Sequence, residues 1–171
     1  MTEVNTMGII LIVKYILGNI FPVDFLAVLE GHRDRIAYEY FVGPNETATL
    51  TYTEYTAMVR RFAAGLTALG LGGKTVAVIG ETLPRWTATY LAVLATGGVI
   101  VPMDKELAPS EIASFLEIVS ADAIVGAPSM DGALAGIPEG HPTLSRYITM
   151  SDTKADEGTL LWSEVEAAGE K

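Results

Sequence analysis

The stretch from Gly73 to Asp104 limits the possible folds of this chain more than any other. Thr75 to Ile79 is a short β-branched run closed by Gly80, the pattern of a strand buried on both faces. Pro84 follows where a first helical turn tolerates a missing N–H, and Trp86, Tyr90, Val93 and Leu94 recur at helical spacing. Gly97 and Gly98 stop that helix, and Val99 to Val101 resume a buried strand. Two strands joined by one helix cannot form a hairpin, so the spacing predicts a right-handed parallel crossover.

The flanks extend this unit. Arg35 to Phe41 and Ala48 to Leu50 are β-like runs around the turn composition Gly43, Pro44, Asn45. Thr51 and Glu54 have capping-box spacing, with Leu50 and Tyr55 placed to staple the entry. The helix they open carries Met58, Val59, Phe62, Leu66 and Leu69 on one face and ends at Gly70. After Asp104, Pro109 and Glu111 open a further helix with the stripe Ile112, Phe115, Leu116 and Val119. Ala123 to Val125 and Tyr147 to Met150 read as a third and fourth parallel strand. Ser129 to Gly140 reads as a weak helix or loop, and Ser151 to Gly158 as a solvated loop. Ser163 and Glu166 repeat the capping spacing before a last helix. The alternation predicts an open, mostly parallel α/β sheet with helices on both faces, plus a small N-terminal antiparallel β element. Residues 1–30 are expected to form an apolar helical segment and 31–171 one α/β unit.

Composition excludes several classes of function. The net charge of −10 argues against a nucleic-acid partner, which needs a basic face. With no cysteine, disulfides and thiolate chemistry are ruled out. His32 and His141 lie at no metal-ligand spacing and are expected on the surface or in loops. Met7 to Val13 is apolar, but Lys14, Asn19 and Pro22 break the run, so it is too short for a transmembrane segment. It also lacks the basic leader of a signal peptide. A cytoplasmic location is expected, with a membrane-peripheral one as the alternative. Asn45, Glu46 and Thr47 match a glycosylation acceptor and are expected to be a turn.

Gly70 to Thr75 ends like a phosphate-binding loop, but Ala68 stands where its first glycine should be. The context is also reversed, with a helix feeding a strand, so the expected role is a helix cap and a tight turn. Neither a dinucleotide fingerprint nor a nucleophile elbow occurs. Glu81 and Asp104 each follow the carboxyl end of a predicted parallel strand, the edge where open α/β sheets bind ligands. The structural alternative is that both cap helices or sit in polar loops. Trp86 is equally a candidate for core or pocket lining.

Three ordered segments resemble the opening third of adenylate-forming enzymes, the acyl-CoA synthetase and luciferase superfamily. Leu50 to Tyr55 with Ala63, Ala64, Gly65 and Leu66 is similar to the family's TYxEL…AAGL segment. Val76 to Glu81 with Trp86, Tyr90, Leu91 and Ala92 is similar to VAVIGEN…EW…YLA. Leu94 to Asp104, ending Val101, Pro102, Met103, Asp104, is similar to AGxVVPLD. Asp104 to Leu107 followed by Glu111 and Ile112 resembles long-chain fatty-acid CoA ligases most, and Leu160 to Val165 resembles a helix start shortly before the family's phosphate loop. Thr82 replaces the family asparagine, Arg85 an acidic residue, and Thr96, Gly97 and Gly98 the usual Ala-Gly, changes that bear on substrate preference.

The resemblance implies a parent that joins a fatty acid to CoA through an acyl-adenylate, using ATP, Mg and CoA. This chain is then expected to be the N-terminal part, ending before the phosphate loop, with no catalytic residue of its own. It is expected to bind none of these cofactors alone. Its expected partners are the remainder of the parent, the fatty acid there, and a second copy through exposed apolar surface. Glu81, Thr82, Trp86 and Asp104 are the candidates for a wall of the substrate pocket. The alternatives are a stand-alone binding or regulatory module of the same fold and a flavodoxin-like ligand-binding domain.

Overall fold

The computed structural model describes residues 25–134, 136–154 and 156–170. Of the expected helical segment over 1–30, residues 25–30 form the helix α1, and the apolar run Met7 to Val13 lies outside the described residues. Strands β1 (Ile36–Gly43) and β2 (Glu46–Thr51) then pair antiparallel around Pro44 and Asn45. Asn45 is in the turn, while Glu46 and Thr47 already belong to β2.

Helix α2 (Tyr52–Ala68) starts as its sequence dictates. The Thr51 hydroxyl accepts the Glu54 N–H at 3.2 Å, and the Glu54 carboxylate accepts the Thr51 N–H at 2.8 Å, a reciprocal cap whose loss costs about 1 kcal/mol. The helix ends where Leu71 N–H reaches Leu66 C=O at 2.8 Å and Gly70 N–H reaches Thr67 C=O at 3.0 Å. Beyond it, Lys74 pairs with Asp122 at 3.6 Å and the Thr75 N–H donates to Asp122 at 3.0 Å. The glycine-rich run is therefore a cap and a turn.

The main sheet holds five parallel strands in the order β4-β3-β5-β6-β7. They are β3 (Thr75–Ile79), β4 (Val99–Met103), β5 (Ala123–Gly126), β6 (Arg146–Thr149) and β7 (Leu160–Leu161). Strands β3 and β4 run parallel from Thr75↔Val99 to Ile79↔Met103, as the crossover requires. Alternation along the strands sends side chains to two cores. Val76, Val78, Val125 and Ile148 face α2, α3 (Pro84–Ala95) and α7 (Trp162–Ala168). Ala77, Ile79, Ile124 and Tyr147 face α4 (Pro109–Ile118) and the short helix α5 (Asp131–Leu134). The segment expected to be a weak helix or loop is a 3₁₀ turn, Pro128–Met130, followed by α5 and α6 (Ile137–Gly140).

Several sequence expectations need correction. Strand β4 is not buried but is the sheet edge, with Val99 58% exposed. Pro102 marks that edge, because a residue without an N–H is tolerated there. Helix α3 buries Pro84, Ala88, Thr89, Ala92 and Val93 rather than the larger Trp86, Tyr90 and Leu94, so its buried face lies about a third of a turn from the one the spacing predicts. In α4, Ile112 and Leu116 are buried, but Phe115 is 46% exposed. Helix α7 begins before Ser163, and it is Glu164 that reaches back to the Leu161 N–H at 2.9 Å. The two-residue β7 was too short to carry a sequence signal.

Helices α2 and α7 pack face to face. Phe62 and Trp162 stack with ring centroids 3.6 Å apart and planes 6° off parallel. Gly65 lets the backbones meet there, because a Cβ at that position would lie 1.9 Å from the Val165 carbonyl oxygen. Arg61 and Glu166 close the rim at 3.0 Å.

Candidate functional site

Topology places a crevice beyond the carboxyl ends of β3 and β5. From β3 the chain passes through α3 on one face, and from β5 it passes into α5 on the other. Adjacent strands whose connections diverge in this way leave the opening where open α/β sheets receive ligands. Gly80 and Ala127 hold its floor together. The Ala127 N–H donates to Ile79 C=O at 2.9 Å, and Gly80 adopts φ 121° against the Ala127 methyl.

Glu81 leaves this floor half-exposed. Its carboxylate accepts from Ser129 Oγ at 2.8 Å and pairs with Lys105 Nζ at 3.4 Å. The Ser129 hydroxyl, the residue's own N–H and Lys105 together hold its pKa below the ordinary carboxylate value. The carboxylate thus ties the loops after β3, β4 and β5 to one another. Beside it opens a cleft of about 330 Å³, lined by Met58, Pro84, Pro128 and Met150 as well as Glu81 and Arg85. Arg85 donates to the Met150 carbonyl and to the Asp152 carboxylate, the latter at 2.9 Å. Such an apolar cleft with paired charges at its rim can bind and orient a group. No histidine lines it, and its hydrogen bonds to Ser129 and Lys105 favour the ionised form of Glu81.

The four candidate residues are not brought together. Glu81 is at the crevice. Thr82 is exposed and lines neither this cleft nor the second cavity. Trp86 faces a separate aromatic cavity of about 390 Å³, stacked on Tyr90 with centroids 6.1 Å apart. Asp104 is exposed and accepts the Glu106 N–H at 3.0 Å, a local turn contact. Ser129, Arg85 and Lys105 join the site although no motif in the sequence marks them for it. Ser129 had a usable signal, since it follows the predicted third strand on the same edge of the sheet. Both histidines lie in loops or turns, with His141 Nδ1 accepting the Leu144 N–H at 3.1 Å.

Glu81→Gln should cost less than about 1 kcal/mol at pH 7, because the pairs it breaks are partly solvated. A carboxylate whose pKa is lowered on folding stabilises above its ordinary value of 4.5, and that contribution is lost as pH falls through the lower folded value. Urea titrations of both proteins should therefore differ at neutral pH and converge in acid. A constant difference across that range would remove the Glu81 charge from the account.

The AMP-binding enzyme family model matches residues 25–170. The chain belongs to the AMP-binding enzyme family. The chain is 31% identical over 111 residues to the nonribosomal peptide synthetase nlsA of Emericella nidulans, covering 61% of this chain and 2% of that protein. Its fold is shared with coronafacic acid ligase from Pectobacterium brasiliense, with TM-score 0.73 and 18% identity over 83% of this chain and 29% of the ligase. A putative long-chain-fatty-acid CoA ligase from Rhodopseudomonas palustris CGA009 gives TM-score 0.62 and 21% identity, covering 69% of this chain and 30% of that one. The chain thus spans under a third of the length of each of these three proteins.

Proposed function

We propose that this chain is the N-terminal α/β part of an acid-activating, adenylate-forming ligase. The parent would convert a carboxylic acid and ATP to an acyl-adenylate and diphosphate, then pass the acyl group to the CoA thiol with release of AMP. The observation that carries this reading is the family match across residues 25–170. Exposed apolar residues of the hairpin support it, Phe41 at 73% and Val42 at 53%, since such surface is normally covered by further protein.

For the acid, we favour a long-chain fatty acid, on the resemblance of Asp104 to Leu107 and Glu111 to that group of ligases. In this reading the cleft beside Glu81 is a wall of the substrate-binding half. ATP, Mg and CoA act in the parent. Among the described residues no three histidine, aspartate or glutamate side chains converge as a metal-ligand set, and no Mg ligand is assigned to this chain. Among the described residues no helix is long and apolar enough to cross a membrane.

Two measurements test the reading. Calorimetry on residues 1–171 should detect no micromolar ATP binding, and saturable micromolar binding would sink it. Reading the gene downstream of Lys171 should reveal an open frame running into a Ser/Thr/Gly-rich phosphate loop. A stop codon there would favour the stand-alone module.

A further inference from the structure

The aromatic cavity beside α3 shares no lining residue with the cleft at Glu81. Its volume of about 390 Å³ is that of a small-molecule pocket. Phe25, Tyr38, Tyr52, Tyr55, Trp86 and Tyr90 supply six of its ten described lining residues, and none of the ten is charged. The rings include two close pairs. Tyr38 and Tyr55 lie 5.0 Å apart between centroids and are tilted by 50°, while Trp86 and Tyr90 lie 6.1 Å apart and 19° from parallel.

The hydroxyl protons of the first pair can be counted. Tyr38 and Tyr55 hydroxyls lie 2.6 and 3.0 Å from Thr87 Oγ1, and Thr87 Oγ1 lies 3.1 Å from the Pro84 carbonyl oxygen. A carbonyl only accepts, so Thr87 gives its one proton to Pro84 and both phenols donate to Thr87. Burial pushes the Tyr55 pKa up, which keeps that phenol protonated. The three bonds thus use all three protons, and the two phenols have only lone pairs left to offer.

These properties select the ligand. A carboxylate or phosphate entering here finds no cationic side chain, and these hydroxyls have no proton left for it. An ammonium ion finds acceptors for its N–H groups and aromatic rings that attract its charge. The chain's net charge of −10 also draws cations toward it. We infer that this cavity binds a small organic ammonium ion, its N–H groups on the Tyr38 and Tyr55 oxygens and its hydrocarbon part among the remaining rings. The inference is independent of the proposed parent reaction, whose anionic substrates this cavity does not suit.

Three six-carbon probes of one shape separate charge from apolar contact. Calorimetry on the full chain is run in about 0.15 M salt, which screens binding to surface carboxylates. Hexylammonium should bind one to one and about tenfold more tightly than 1-hexanol, and hexanoate should not bind. In ¹⁵N-labelled chain, hexylammonium should move the Trp86 indole signal, assigned through Trp86→Phe. The Trp162 indole, which does not line the cavity, should stay in place and reports the fold. Thr87→Val frees both phenol protons to face the ligand, so the preference for hexylammonium over hexanol should fall at least about threefold. Equal affinity for the two probes, no saturable hexylammonium binding, or binding that leaves the Trp86 signal unmoved would each overturn the inference. So would an undiminished preference in folded Thr87→Val, because the phenol oxygens would then not be the acceptors.

Discussion

Replacing Gly65 with alanine should destabilise the folded chain by about 3 kcal/mol, at the upper end of what overpacking usually costs. The added methyl would lie 1.9 Å from the Val165 carbonyl oxygen and 2.6 Å from its carbon, and neither can rotate aside. Alanine's better helix propensity returns about 1 kcal/mol, so the gross clash is larger than the net effect. Relief requires α7 to move off α2, which would unstack Trp162 from Phe62. Urea titration followed by tryptophan fluorescence reads both consequences. Gly132→Ala is the control, because nothing lies within 4 Å of its added Cβ; it should be neutral or stabilise by up to about 1 kcal/mol. Equal midpoints for the two variants would refute close backbone packing of α2 on α7.

Gly80→Ala should cost roughly 3–5 kcal/mol, for two separable reasons. The backbone holds φ 121°, a region that costs a side-chain-bearing residue about 1–3 kcal/mol. The new Cβ would also lie 2.2 Å from the Ala127 methyl. Adding Ala127→Gly removes that second clash but not the first. The double variant should therefore recover at least about 1 kcal/mol relative to additivity. Strictly additive losses would mean that β3 and β5 do not meet at the floor of the crevice.

What the sequence made legible was local. The Thr51–Glu54 cap, the turn at Pro44 and Asn45, and the β3-α3-β4 unit each rest on neighbours within a few positions, and each is present. Errors arose where burial depends on what packs from a distance. Trp86, Tyr90 and Leu94 outweighed Ala88 and Ala92 in any reading by hydrophobicity, yet it is the small residues that let α3 lie close. The edge position of β4 depends on strand order, for which only Pro102 offered a sign. The role of Gly65 depends on Val165 of α7 packing against it, which no local pattern around Gly65 signals. For the site, proximity to strand ends pointed to Glu81, but its partner Ser129 lies 48 positions away and no spacing rule connects the two.

The docking of α7 on α2 also sets a timetable for biosynthesis. Arg61 and Glu166 are 105 positions apart, so at about 5–20 residues per second the ribosome needs ~5–20 s to deliver the second after the first. Throughout that interval the ring of Phe62 waits without Trp162 to cover it. A nascent chain in that state would be a natural client for chaperones acting at the exit tunnel.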